Sequence, residues 1–142
     1  MPAVQSCLDS HHHNAVKAAT ILEEACEEAC KTRGYQSAPM RAKICVEFCE
    51  QNPGMTAHEW QVDIGEALHL GVDCSLIAST GTGKTIPFVM PLFVESDKII
   101  VIISPLNTLE VNQASHFWKM GLSAIAVNGD TYSNEIHQAR RL

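Results

Sequence analysis

Apolar positions recur along this chain at two different periods, and the change of period divides it. From Asn14 to Lys31 the positions Ala19, Leu22, Cys26, Ala29 and Cys30 return at helical spacing opposite a Glu-rich face, with Asn14 as N-cap and Gly34 as stop. A second helix is expected from Ala38 to Gln51, with Met40, Ile44, Cys45, Phe48 and Cys49 on one side, before Asn52-Pro53-Gly54 breaks the chain. These two predict a helical hairpin over residues 14–52, behind a disordered lead-in over residues 1–13. Thr56 and Glu59 have the spacing of a capping box, opening a helix with Trp60, Ile64, Ala67 and Leu68 on one face and Gly71 at its end.

Beyond Gly71 the pattern shortens. Cys74 to Ala78, Lys98 to Ser104 and Ser123 to Asn128 are compact apolar runs that predict buried strands. Helices are expected between and after them, from Lys84, from Leu106 to Met120 and from Thr131 onward. Strands alternating with helices predict an α/β fold with a parallel sheet. Three such strands leave exposed edges and a thinly covered face, so the hairpin, a protein partner or further chain is expected to cover them.

Composition then narrows the class. With 46% hydrophobic and 18% charged residues over 142 positions, the chain reads as one globular domain, or a small domain with an appendage, rather than a disordered polymer. No apolar run is long enough to cross a bilayer, and the N-terminus carries no basic start or apolar core of a secretory signal. The net charge is -6, and from Thr56 onward 5 Lys/Arg face 9 Asp/Glu. That balance excludes nucleic-acid binding through a broad basic face; any strand contact would rest on backbone N–H groups and a few local side chains. His11-His12-His13 read as a polar terminus rather than a metal site.

Four of the six cysteines form two pairs, Cys26-x3-Cys30 and Cys45-x3-Cys49. Each pair spans one helical turn, so the thiols could face across a hairpin as packed apolar groups, as a zinc site or as two disulfides. Over residues 26–49 alone, the spacing resembles the twin CX3C hairpins of small mitochondrial intermembrane-space proteins. The cysteines lie on the apolar stripes, which favours packed thiols in a reducing compartment, nuclear or cytoplasmic.

The stretch ASTGTGKT, residues 78–85, stands between a predicted strand and a predicted helix. Successive backbone N–H groups ahead of a helix form a receptor for phosphate. Gly81 and Gly83 let the backbone curl closely, Lys84 can set its ammonium against the outer phosphates, and the Thr85 hydroxyl is placed to ligate Mg²⁺. Ser79, Thr80 and Thr82 complete the loop, and Ala78 stands where the pattern GxxxxGK[ST] has its first glycine.

With these residues in view, the span from Pro53 to His137 resembles the N-terminal part of a superfamily 2 helicase, closest to the RecQ-like DEAD/DEAH-box enzymes and particularly to divergent fungal forms. Ala78 through Thr85 read as that superfamily's motif I, AxTGxGKT. Gln61 matches the glutamine that reads adenine, and Ser104-Pro105-Leu106 matches motif Ia, which in the family touches the nucleic-acid backbone. The resemblance implies an incomplete RecA-like ATP-binding domain over residues 53–142, with ATP and Mg²⁺ held by Gln61 and Ser79 to Thr85. Where RecQ-like proteins place an aromatic and an arginine before the glutamine, this chain has Ala57 and His58.

No DExH or DExD occurs anywhere in the sequence, although the family uses that motif to position Mg²⁺ and activate the attacking water. The expected function is therefore ATP binding by the N-terminal portion of a DNA helicase. Lys84 and Thr85 carry what catalytic machinery is present, DNA binding is weak or absent for this portion alone, and a second helicase domain or a protein partner is missing. The alternative is a non-catalytic nucleotide-binding interaction module.

Overall fold

The computed structural model describes residues 2–79, 81–95 and 97–129. It divides into two compact units, one ending at Lys98 and the other beginning at Ile99. The first contains helices α1 (Pro2–Arg33), α2 (Ser37–Gln51), α3 (Glu59–His69) and α4 (Ile86–Val94); the second contains α5 (Asn107–Lys119).

Helix α3 is the hub of the first unit: α1, α2 and α4 all pack against it, and α2 packs against α4 as well. The core of the first unit draws on Ile44 and Phe48 from α2, both on the expected face, Val62 and Ala67 from α3, and Ile86, Val89 and Met90 from α4. On α3 the expected face is met only at Ala67, since Trp60, Ile64 and Leu68 are half-buried. Phe48 meets Phe93 edge to face with ring centroids 6.3 Å apart. Helix α1 takes in the residues expected to form a frayed lead-in, since adding a turn to an existing helix is far cheaper than nucleating one. It ends where Gly34 takes φ 65°, and the Tyr35 N–H reaches back to the Ala29 carbonyl at 3.2 Å.

The expected parallel sheet is not formed. Among the described residues there is no strand, and the runs 74–78, 98–104 and 123–128 lie outside both helix and ladder. Their apolar side chains alternate between half-buried and exposed: Ile77 is 95% exposed and Ile103 92%, while Leu76 and Ile102 are half-buried. The physical reason is that a helix satisfies its backbone within its own turns, whereas a parallel strand depends on neighbours brought in across long connections. Here the first run belongs to one unit and the other two, from Ile99 on, to the second. In that second unit residues 122–128 follow α5 instead: Trp118 Nε1–H donates to the Ala124 carbonyl at 2.6 Å, and Asn128 Nδ2 donates to Glu110 Oε2 at 3.2 Å. The helix expected from Thr131 lies outside the described residues.

Among the described residues α1 packs on α3, and α2 on α4 and α3. Cys30 and Cys49 are exposed, Cys26 and Cys45 half-buried, and all four are free. No group of three or more metal-ligating side chains occurs among the described residues.

Gly65 sets the separation of α3 and α4. A Cβ built there would stand 2.9 Å from Met90 Cβ and equally close to its sulfur. Gly65→Ala therefore trades about 1 kcal/mol of gained helix propensity against an overpacking cost of about 1–3 kcal/mol. Because Met90 Cβ is anchored to backbone, the second effect wins, and urea denaturation is expected to show a net loss of about 1 kcal/mol. Unchanged or increased stability would mean that α3 and α4 separate without penalty.

Candidate nucleotide-binding site

The phosphate-type loop lies between α3 and the start of α4. Gly81 and Gly83 both adopt the left-handed backbone, at φ 86° and 73°. Only glycine takes that conformation without strain, and at Gly83 there is a second constraint. A Cβ on Gly83 would come within 2.8 Å of Gln61 Nε2 and 3.0 Å of Ile86 Cδ1. Helix α4 begins immediately after Thr85, which caps it without a side-chain hydrogen bond. The Thr85 hydroxyl is thus not spent on the helix end. Pro87, in the first turn, costs α4 no intrahelical bond, because N–H groups there have no partner within the helix.

Lys84 is folded back over the loop. Its Nζ donates to the carbonyls of Ala78 and Ser79, each at 2.8 Å, and the Thr82 hydroxyl donates to the Ser79 carbonyl at 2.8 Å. These contacts hold the ammonium above the turn in which Gly81 and Gly83 expose backbone. An anion there would meet a cation and a helix N-terminus together. Thr80, expected as part of the same loop, lies outside the described residues.

Gln61 is brought to this loop, and it is deeply buried, with only 2% of its surface exposed. Its Nε2 donates to the carbonyls of Thr82 at 3.4 Å and Gly83 at 3.1 Å, while its Oε1 accepts the His58 N–H at 2.9 Å. The helix start is two residues later than the Thr56/Glu59 spacing suggests: His58 is the N-cap of α3 and Gln61 stands at its third position. The spacing His58-x-x-Gln61 contains this capping arrangement, but histidine is an uncommon N-cap and the Thr56-x-x-Glu59 pattern masks it.

The residues expected at the nucleic-acid backbone fall in the second unit. Ser104-Pro105-Leu106 forms the turn into α5, where Leu106 is the N-cap and its N–H approaches Ser104 Oγ at 3.4 Å. The structure therefore brings together Gln61, Ser79 and Gly81 to Thr85, and describes Ser104 to Leu106 as a separate turn. Trp118 is 62% exposed, while Phe117 is buried beside Met120 in the α5 unit.

Spacing did not single out two residues beside the site, Gly65 and Glu66. Gly65 lies four residues after Gln61 and continues its face against α4. Glu66, 1% exposed, turns to the other side of α3, where it accepts hydrogen bonds from Tyr35 Oη at 2.8 Å and Arg41 Nη1 at 2.9 Å. The Cys26 thiol approaches the same carboxylate at 3.6 Å, and burial together with Glu66 pushes that thiol's pKa up. Burial and the same carboxylate also push the Tyr35 phenol up, so it stays a proton donor.

No solved structure matches the chain. The family model for DEAD/DEAH box helicases matches residues 59–142, which takes in α3, the glycine loop, α4 and α5. With motif I, the loop geometry and a match over more than half of its length in agreement, the chain belongs to the DEAD/DEAH box helicase family.

Proposed function

We propose that this chain binds ATP with Mg²⁺ as the N-terminal portion of a RecQ-like DNA helicase. The observation that carries the reading is the loop from Ser79 to Thr85: two left-handed glycines, a lysine poised over them, and a helix N-terminus behind. Lys84 neutralises the outer phosphates, Thr85 supplies its hydroxyl to the metal, and Gln61 reads the adenine edge with an amide that can donate and accept. Since both Gln61 Nε2 contacts go to the loop, base recognition draws on the group that holds Thr82 and Gly83. DNA backbone contact belongs to Ser104, Pro105 and Leu106. The family generally couples ATP and Mg²⁺ to work on nucleic acid; these 142 residues contain no DExH or DExD to activate water, so binding rather than turnover is the activity assigned to them.

Titration with a fluorescent ATP analogue and Mg²⁺ tests this. Saturable binding, competed by ATP at lower concentration than by GTP, is the expected result. Equal competition by both nucleotides removes the adenine-reading role of Gln61, and no saturable binding removes the nucleotide reading altogether.

A further inference from the structure

Helix α3 has two working faces. One carries Gln61 and Gly65, four residues apart, against the phosphate loop and α4. The other carries Asp63 and Glu66, three residues apart, and both are held by one atom: Arg41 Nη1 lies 2.7 Å from Asp63 Oδ1 and 2.9 Å from Glu66 Oε2. Arg41 stands on α2, which precedes the residues matched by the helicase family model. The same helix grips α4. Lys43 Nζ donates to the Val94 carbonyl at the C-terminal end of α4 at 3.2 Å, and Ile44 and Phe48 are buried with 0% and 1% exposure. Thus α2 holds both helices between which the loop is strung.

We propose that Arg41 is a positioning residue for nucleotide binding: by fixing Asp63 and Glu66 it sets the rotation of α3, and so the depth at which Gln61 meets the Thr82 and Gly83 carbonyls. The inference rests on the nucleotide reading of the loop given above. Physically, α3 is a short rigid rod, with Glu66 about 7.5 Å along the axis from Gln61. A rotation released at one face must appear at the other. Gln61 carries such a rotation to the loop, since its Oε1 accepts the His58 N–H at the start of the same helix and its Nε2 donates to the Thr82 and Gly83 carbonyls.

The test compares Arg41→Met, which keeps most of the stem, with Arg41→Lys, which keeps a cation near the two carboxylates. Lys31→Met is the control, because Lys31 pairs with Glu27 in its own helix, away from Asp63 and Glu66. Two quantities are read: affinity for the fluorescent ATP analogue with competition by ATP and GTP, and hydrogen exchange of the loop amides from Gly81 to Thr85 without nucleotide. Arg41→Met is expected to weaken binding about fivefold, the lower range of coupling between distant sites, to narrow the preference for ATP over GTP, and to speed loop exchange. Arg41→Lys is expected to restore most of each, and Lys31→Met to change none. In a Gln61→Ala background, Arg41→Met is expected to add little.

Folded Arg41→Met with wild-type affinity and unchanged loop exchange overturns the inference, as does full additivity with Gln61→Ala. If Arg41→Met does not fold, Asp63→Asn removes one of the two anchors on a half-exposed residue and is read the same way. If the wild type binds no nucleotide, the nucleotide reading fails, and loop exchange then decides positioning alone: faster exchange in Arg41→Met upholds it and unchanged exchange rejects it.

Discussion

Lys84→Ala is expected to abolish measurable ATP binding while the helices remain folded. In the free protein Lys84 Nζ rests on the Ala78 and Ser79 carbonyls, at a half-buried to exposed position where water can replace it. Loss of such bonds at the surface costs the fold at most about 1 kcal/mol. Opposite a triphosphate the same ammonium makes hydrogen bonds to charged oxygens, worth about 1.5–3 kcal/mol each. Losing two of them corresponds to a drop of more than about a hundredfold in affinity. The asymmetry separates the two roles of the side chain. Fluorescent-ATP titration reads the first and circular dichroism the second; equal affinity of Lys84→Ala and wild type would reduce Lys84 to a cap on neighbouring carbonyls.

That duality shows what a sequence discloses and what it withholds. The loop was legible because its determinants are local: two glycines that must take positive φ, a lysine and a helix start lie within eight residues. Helices α2, α3 and α5 were legible for the same reason, since a 3.6-residue period and a glycine or proline stop need no distant partner. The runs 74–78, 98–104 and 123–128 were misread as strands because an apolar run reports a tendency to be buried, not the neighbour that would pair with it. Ile77 and Ile103 show the difference, being β-branched, apolar and almost wholly exposed. Gln61 was found through resemblance to the family, which assigns it a base to read. Its hold on Thr82 and Gly83 arises from a contact across 21 and 22 residues of chain, which no periodicity encodes. Arg41, Gly65 and Glu66 escaped notice for that same reason.

Glu66 shows most sharply how such long-range residues govern stability. It is a carboxylate with 1% exposure, and burial by itself raises its pKa. Hydrogen bonds from Ser37, Arg41 and Tyr35 outweigh that desolvation and hold it below its ordinary 4.5. The folded state therefore binds its proton less readily than the unfolded chain. The resulting stability is fully present above that ordinary value and is lost as pH falls through the folded-state pKa. Replacing the group is more severe than protonating it. Glu66→Ala leaves the Tyr35 hydroxyl and Arg41 without their partner inside a packed junction, and breaking a buried pair costs about 3–5 kcal/mol. Arg41 keeps Asp63 and partial access to water, which places the expected loss near the lower end, about 3 kcal/mol. Glu66→Gln keeps the shape and one acceptor, so a smaller loss is expected, together with a flatter dependence on acid. Urea denaturation followed from neutral pH to below the ordinary carboxylate range checks both. A wild type that loses stability on acidification no faster than Glu66→Gln would place the acid-sensitive group elsewhere, and a Glu66→Ala variant as stable as wild type would mean that the junction of α1, α2 and α3 is held by its apolar contacts alone.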